Sequence, residues 1–375
     1  MRIAIIGAGL NGLSCAVFLR SLGFECEVFE RGDTPRDSGT GIYVWPQGAQ
    51  ILRVLLGDRH LSGYGQPVEY LDTHSNHGAL LSSQAVRPDG SNVMSPAMMF
   101  RRKDLYRMLQ ERVPAGSVHF GDAVESIDVD RGHPVAGFAS GRVREFDLVI
   151  GTDGLNSAVR RFVNPHAKPR YAGLVASRGV VKFRAASLFA QRCQIFVTRF
   201  ARVVTYSLDE SDSLRYWFAA YRCDPGAALL DRSGLLRKFS DLPPFILDML
   251  GQTPKADINS QRLYTLTAEG AWHRAGVVLL GDSVHAMLPT LGYGFTLGLE
   301  NTVALGLALA GASALERDAA LQRYEARCAA RSRELISVMN DMTRLYYFEP
   351  PARLTVARIG PIVSRFNTLA ADSVF

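Results

Sequence analysis

The first residues with chemical potential are three glycines in the run Gly7-Ala8-Gly9-Leu10-Asn11-Gly12. They follow the β-branched run Ile3 to Ile6 and precede an apolar helical pattern from Leu13 to Ser21, the order of a loop that cradles a dinucleotide pyrophosphate. Gly7 permits the turn, Gly9 lets backbone approach an anion, and Gly12 lets helix and strand pack closely. Leu10 and Asn11 open a helix whose unpaired N–H groups meet that anion. Glu30 lies eighteen residues after Gly12 at the end of a second strand, Cys26 to Phe29, where an acid accepts from ribose hydroxyls, and Arg31 stands beside it. An incidental glycine turn is the competing reading. The ordered strand, helix, second strand and terminal acid favour dinucleotide binding, without separating FAD from NAD.

Two later segments bear on that choice. One runs from Asp147 to Arg160 and contains Gly151-Thr152-Asp153-Gly154; the other is Gly281-Asp282-Ser283-Val284-His285, continuing through Pro289 to Gly292-Tyr293-Gly294. With the nucleotide loop, they resemble the single-component FAD-dependent aromatic hydroxylases, the p-hydroxybenzoate hydroxylase-like family. Gly39 to Trp45 is locally similar to the corresponding stretch of 2-methyl-3-hydroxypyridine-5-carboxylate oxygenase.

That resemblance implies bound FAD, NAD(P)H as a transient reductant, and O₂ activated at the flavin C4a position to hydroxylate a small aromatic or heteroaromatic substrate. It assigns Asp153 and Gly154 to the cofactor site, Asp282 to ribityl hydroxyls, and the Pro289 carbonyl to the neighbourhood of C4a, the one position with a catalytic expectation. Gly292, Gly294, Phe295 and Thr296 would offer backbone to the pyrimidine end. Arg102 matches a flavin-contacting arginine, with a purely structural salt bridge as its alternative; Arg101 is its neighbour and decoy. Val124 matches the position whose backbone meets adenine. Tyr293, Phe295 and Thr296 stand where the family usually has Gln, Ala and Asn. Leu288 replaces a common proline, Asn301 a common acid, and Gln47 a frequent Asn. Related flavoproteins that hydroxylate an amine, epoxidise an alkene or desaturate share all three motifs. The first motif alone would also allow a nicotinamide-dependent dehydrogenase, and the unusual Tyr293 and Phe295 loop allows a non-catalytic flavin-binding protein.

Other chemistry-bearing types read less sharply. Ser283 with His285 has the look of a hydrolase nucleophile and base, but its place in the third motif favours packing. His74-Ser75-Asn76-His77 has metal-ligand spacing in a loop-like context, so no metal is expected, and His74 is assigned instead to the substrate cavity. Tyr206, Tyr216, Phe218 and Tyr221 alternate in strand-like runs; most should fill a core, with Tyr206 and Tyr216 at the cavity. Tyr293 is a further substrate-side candidate.

The elements that must hold these residues follow from pattern. Buried strands are expected at Phe146 to Ile150 and Val277 to Leu280, helices at Gln47 to Leu56 and Leu105 to Arg112, and antiparallel strands between Arg170 and Leu266. Gly298 to about Thr343 reads as mostly helical. The fold class is α/β with an α+β insertion. A Rossmann-like FAD-binding domain (1–66, 100–165 and 267–375, including C-terminal helices) is interrupted by a mostly antiparallel substrate domain (67–99 and 166–266).

With 375 residues, 47% of them hydrophobic, the chain can bury a large core. Its net charge of +6 without a long basic run argues against nucleic-acid binding. Five scattered cysteines without a CxxC pair indicate neither disulfides nor a zinc site and suit a reducing, cytoplasmic setting. The start lacks a secretory pattern, and no apolar run is long enough to span a membrane. The segment from Leu354 to Phe366 is expected to pack on the body as a helix, with membrane-surface attachment as the competing reading. Oligomeric state is not indicated.

Overall fold

The computed structural model describes residues 1–35, 40–57, 61, 63–86, 95–184, 191–350 and 353–372. Gly39 lies outside them. The chain opens with β1 (Ile3–Ile6), α1 (Leu10–Ser21), β2 (Cys26–Glu30), β3 (Gly41–Val44) and α2 (Pro46–Leu56). It continues through β4 (Gly65–Val68), β5 (Tyr70–His74), β6 (Leu80–Ala85), β7 (Ala97–Arg101) and α3 (Arg102–Gln110). Next come β8 (Val118–Phe120), β9 (Val124–Asp130), β10 (His133–Phe138), β11 (Val143–Glu145), β12 (Leu148–Gly151) and α4 (Ala158–Val163). The middle holds β13 (Arg170–Lys182), β14 (Arg192–Thr198), β15 (Ala201–Ser207), β16 (Leu214–Arg222), α5 (Arg232–Lys238), α6 (Pro244–Gln252) and β17 (Asn259–Thr265). Last are β18 (His273–Arg274), β19 (Val277–Leu279), α7 (Asp282–His285), α8 (Gly294–Leu309), α9 (Arg317–Tyr347) and α10 (Val356–Ala371).

The first and last portions share one sheet of order β18-β19-β12-β1-β2-β8, parallel except for the β18–β19 pair. Every residue of β1, β12 and β19 is buried, as expected of strands covered on both faces. Hence all three motif turns leave the carboxyl ends of adjacent strands: Gly7 after β1, Thr152 after β12 and Leu280 after β19. That end is where open α/β sheets bind ligands.

The second large sheet has order β17-β13-β16-β15-β14-β5-β6 and is antiparallel except for β14–β5. Strand alternation gives it two faces. Val203, Trp217, Ala219 and Phe196 pack on α5 and α6, through residues such as Leu235 and Ile246. Tyr206, Tyr216, Phe218 and Ala220 face the opposite way, towards Trp45, Leu288, Tyr293 and Met339. Two three-stranded sheets, β11-β10-β9 and β3-β7-β4, complete the strands.

The helical stretch expected after Gly298 starts earlier, at Gly294, and breaks between α8 and α9 near Gly311, whose φ is +75°. In α10, Phe366 and Ala370 are buried against the body. Among the described residues, no helix is long and apolar enough to cross a membrane.

Candidate functional site

At the first turn, backbone crowding dictates glycine twice. A Cβ on Gly7, at φ +107°, would lie 2.7 Å from the Thr152 carbonyl oxygen, and one on Gly12 only 1.9 Å from that of Gly7. Gly9 differs: no atom lies within 4 Å of its would-be Cβ. The backbone there faces open space where α1 begins and its first N–H groups lack helical acceptors, as an approaching anion requires. Glu30 is fixed beside this opening, accepting from Ala8 N at 2.9 Å and Gly32 N at 3.0 Å. Arg31 is exposed at the same edge, and Val124 starts β9, buried.

The second and third motifs are locked together. Arg160 donates to the carbonyls of Leu155 at 2.5 Å, Ala167 at 3.2 Å and Ser283 at 2.9 Å. Ser283 Oγ donates to the Gly151 carbonyl at 2.6 Å and accepts from Leu280 N at 3.1 Å. Asn11 reaches across from α1, for a Cβ on Gly281 or on Gly298 would come within 2.3 Å of its amide. These contacts fix the turn that presents Asp282.

Asp282 and Arg102 are exposed, yet enough protein stands around each to desolvate it, as on the wall of a cleft. Burial pushes the Asp282 carboxyl up while Arg102 draws it back down. Burial lowers the Arg102 guanidinium, Asp282 opposes that, and Arg178 adds to it. The two side chains are therefore electrostatically coupled inside the cleft, and Arg102 N donates to the Thr40 carbonyl at 2.8 Å.

The loop from Pro289 to Thr296 closes one end. Its Pro289 side chain is exposed, and the Pro289 carbonyl accepts from Arg202 at 3.2 Å. Trp45 Nε1 donates to the Leu291 carbonyl at 2.8 Å, and Trp45 N to Thr296 Oγ1 at 3.1 Å. Gly292 sits at φ +67°, and Gly294 and Phe295 open α8. That helix start aims its first N–H groups away from its own ladder, which favours a negative charge in front of it.

Opposite lies the second sheet. Tyr206 and Tyr216 pair across β15 and β16 with ring centroids 4.9 Å apart, directly under Gly41, whose added Cβ would meet the Tyr206 hydroxyl at 2.7 Å. Tyr43 wedges between sheet and loop: an added Cβ on Gly292 would sit 3.5 Å from its ring, and its buried hydroxyl has no hydrogen-bond partner among the described residues. Burial raises the phenols of Tyr43, Tyr206 and Tyr216, with Arg178 and then Arg102 pulling Tyr216 back. At neutral pH all three remain protonated hydrogen-bond donors.

The family model described as FAD binding domain matches residues 1–338. The chain belongs to this FAD-binding family. It is 28% identical over 366 residues to 6-hydroxynicotinate 3-monooxygenase of Pseudomonas fluorescens, covering 94% of this chain and 93% of that one. To the FAD-dependent urate hydroxylase of Klebsiella pneumoniae it is 29% identical over 345 residues, covering 90% and 88%. The structure of Klebsiella pneumoniae HpxO complexed with FAD and uric acid superposes with a TM-score of 0.88 at 25% identity, covering 99% of this chain and 97% of that one. A salicylate hydroxylase substrate complex shares the fold at TM-score 0.83 and 20% identity, covering 98% and 95%. This chain is thus a flavoprotein oxidoreductase of the single-component aromatic hydroxylase group, with FAD as cofactor; NAD(P)H is the co-substrate typical of that group.

Within this FAD-binding family member, Gly7, Gly9, Gly12, Glu30, Asp153, Gly154 and Asp282 gather at one sheet end, while Arg102, Tyr206 and Tyr216 meet them across the cleft. Three placements differ from the sequence expectation. His74 pairs in register with Phe196 and stacks on it at 4.8 Å, with Nε2 on Gln194 at 2.6 Å, so it lies on the face turned towards α6, away from the two tyrosines. Tyr293 is 0% exposed and directs its hydroxyl at Glu300, 2.9 Å away, into the interior instead of the cavity. Asp153 spends both oxygens capping α4, accepting from Ser157 Oγ at 2.5 Å, Ala158 N at 2.6 Å and Val159 N at 3.2 Å; its first duty is to shape the turn. Leu10 packs its side chain in the core, leaving only its backbone to the nucleotide loop. Sequence reasoning also missed Tyr43, Arg178 and Arg202. The signal for the arginines was available: each occupies an inward position of an apolar strand, where a charge needs a reason.

Proposed function

We propose that the cleft between the three motif turns and the Tyr206–Tyr216 face holds FAD and a small heteroaromatic ring side by side, and that the ring is hydroxylated there with O₂ as co-substrate. Bound FAD would supply the acceptor for hydride from NAD(P)H and the centre at which oxygen is activated. The residues present suit it: the open backbone at Gly9 and the α1 N-terminus for the pyrophosphate, Glu30 for the adenosine ribose, Asp282 for the ribityl chain, and Arg102 beside it. Gly292, Gly294, Phe295 and Thr296 present backbone at the α8 start to the pyrimidine end, and Val124 stands at the adenine side. The Pro289 carbonyl, fixed by Arg202, borders the ring's reacting side. Segments 1–66, 100–165 and 267–375 would serve the cofactor, and 67–99 with 166–266 the substrate.

The substrate ring would lie on the apolar floor of Phe218 and Val204, with the phenols of Tyr43, Tyr206 and Tyr216 donating to its polar edge. Hydroxylated nitrogen heterocycles, the substrate type that the relatives' names describe, carry acceptors matched to such donors. One observation carries this reading most: Asp282 and Arg102 are accessible and electrostatically coupled, and Arg102 also acts on Tyr216 of the tyrosine pair. The test is purification with its flavin, followed by a panel of hydroxylated pyridines, purines and benzoates for stimulated NAD(P)H oxidation. Products from ¹⁸O₂ should gain one labelled oxygen. A protein that takes up FAD yet yields only unlabelled product with every ring would overturn it.

A further inference from the structure

The loop from Pro289 to Thr296 is held from outside at both ends and in between. Besides Arg202 on Pro289 and Trp45 on Leu291 and Thr296, Thr290 Oγ1 lies 2.5 Å from Thr343 Oγ1 of α9. Tyr293 is bonded to Glu300, itself 0% exposed, and Arg331 of α9 joins both: Nη1 on Glu300 at 2.6 Å and Nη2 on the Tyr293 hydroxyl at 3.3 Å. The third nitrogen of Arg331, Nε, donates at 2.9 Å to the Leu369 carbonyl in the last turn of α10. The adjacent Ala370 carbonyl accepts from Gln47 at 2.7 Å, and Gln47 lies in the first turn of α2, two residues after Trp45. Phe366 of the same helix fits between Trp45 and Tyr293, at centroid distances of 4.8 and 5.4 Å.

A buried ion pair is a poor way to gain stability, because desolvating both charges offsets their attraction; packed apolar residues usually do as well. What such a network does supply is one geometry. Here Glu300 and Arg331 both converge on Tyr293, the residue that caps α8, where the family ordinarily carries a glutamine. Resting on the proposed placement of flavin in front of this helix, we propose that α10 and the buried Tyr293–Glu300–Arg331 network are positioning elements of the flavin reaction, holding the first N–H groups of α8 in fixed aim at the flavin pyrimidine. Those donors favour the anionic reduced flavin over the neutral oxidised one, so their aim sets the relative affinity for the two. The C-terminal helix thereby acts on the redox chemistry without touching the cofactor.

The experiment measures, for holoenzyme and for Tyr293→Phe, Glu300→Gln and Phe366→Ala, the midpoint potential of bound FAD and the melting temperature. Leu235→Ala, on the far face of the second sheet, provides a control that loses stability elsewhere. Each loop-side variant should favour oxidised over reduced FAD by roughly tenfold relative to wild type, about 30 mV more negative for a two-electron couple. Leu235→Ala should lower the melting temperature at unchanged potential. Tyr293→Phe removes a single oxygen and guards against a Glu300 variant that fails to fold. Potentials that track the melting temperature across all four variants, or stay at the wild-type value in Tyr293→Phe, overturn the inference. A wild-type protein that binds no FAD overturns instead the placement of flavin at this loop.

Discussion

Replacing His285 with glutamine isolates one consequence of how the third motif is built. His285 is wholly buried in α7, its ring 6.0 Å from that of Trp272, and neither ring nitrogen has a partner among the described residues. Burial disfavours the charged imidazolium and pulls its pKa from 6.5 down to about 4. Unfolding restores the ordinary value, so between those limits the unfolded chain binds more protons than the native one, and stability rises with pH. The native state is fully favoured above pH 6.5 and loses that advantage as pH falls towards 4. At 1.36 kcal/mol per pKa unit, the shift corresponds to about 3 kcal/mol over the whole window and about 2 kcal/mol by pH 5. Urea unfolding of wild type and His285→Gln at pH 7.5, 6, 5 and 4 reads this directly. Glutamine keeps a buried polar side chain but does not titrate, so other acid-sensitive groups cancel in the difference between the two curves. That difference should open by about 2 kcal/mol from pH 7.5 to 5. Parallel curves would show that His285 is solvated or paired, and would refute the account of its burial.

Two further outcomes test the cleft itself. Gly12→Ala places a methyl 1.9 Å from the Gly7 carbonyl oxygen, which forces α1 away from the loop; the variant should fold yet weaken FAD binding by about two orders of magnitude, read by flavin fluorescence recovery. Tyr206→Phe and Tyr216→Phe each remove one donor to the proposed ring and should weaken ligand binding about tenfold, the worth of a good hydrogen bond. His74→Ala, on the other face, should leave ligand affinity within twofold; equal losses from all three would mean that the face assignment is wrong.

How far the sequence reveals this site depends on the range of the contacts involved. The glycine turns are local: steric closure at Gly7 and Gly12 and openness at Gly9 follow from residues a few positions away plus one neighbouring strand, and the motif encodes both. The antiparallel sheet is legible as alternation, but alternation does not say which of its two faces meets the cofactor. His74 and Tyr206 illustrate the limit. Tyr206 reads as a ring in a strand and His74 as part of a loop; His74 in fact ends β5, whose parallel register on β14 sets it level with Phe196 and therefore on the helix-covered side. Tyr293 failed for a different reason. Its neighbours on the loop belong to the site, yet its own side chain is claimed by Arg331, thirty-eight positions later, and no local pattern announces a buried pair formed across helices. The break between α8 and α9, in contrast, has a local cause in Gly311 that periodicity over apolar positions overlooks.

The charges of the cleft complete the physical case for its ligand. Two helix N-termini, those of α1 and α8, open on it, each equivalent to about half a positive charge. Arg102 adds a full charge and Arg178 stands near enough to lower it, whereas Asp282 is the acid coupled to that group. Arg202 is 3% exposed, lies against the rings of Tyr346 and Tyr347, and donates to the neutral Pro289 carbonyl. Positive groups thus stand at both ends of the proposed cofactor site, backbone at the nucleotide end and backbone plus guanidinium groups at the α8 end. A diphosphate answers the first. The second is suited to a group that becomes anionic during the reaction, because fixed dipoles and buried cations need no reorganisation when that charge arrives. A reducible cofactor whose reduced form carries the charge meets this requirement, and a permanently neutral ligand does not. The electrostatics therefore favour a flavin that cycles in place over one held merely as a structural group.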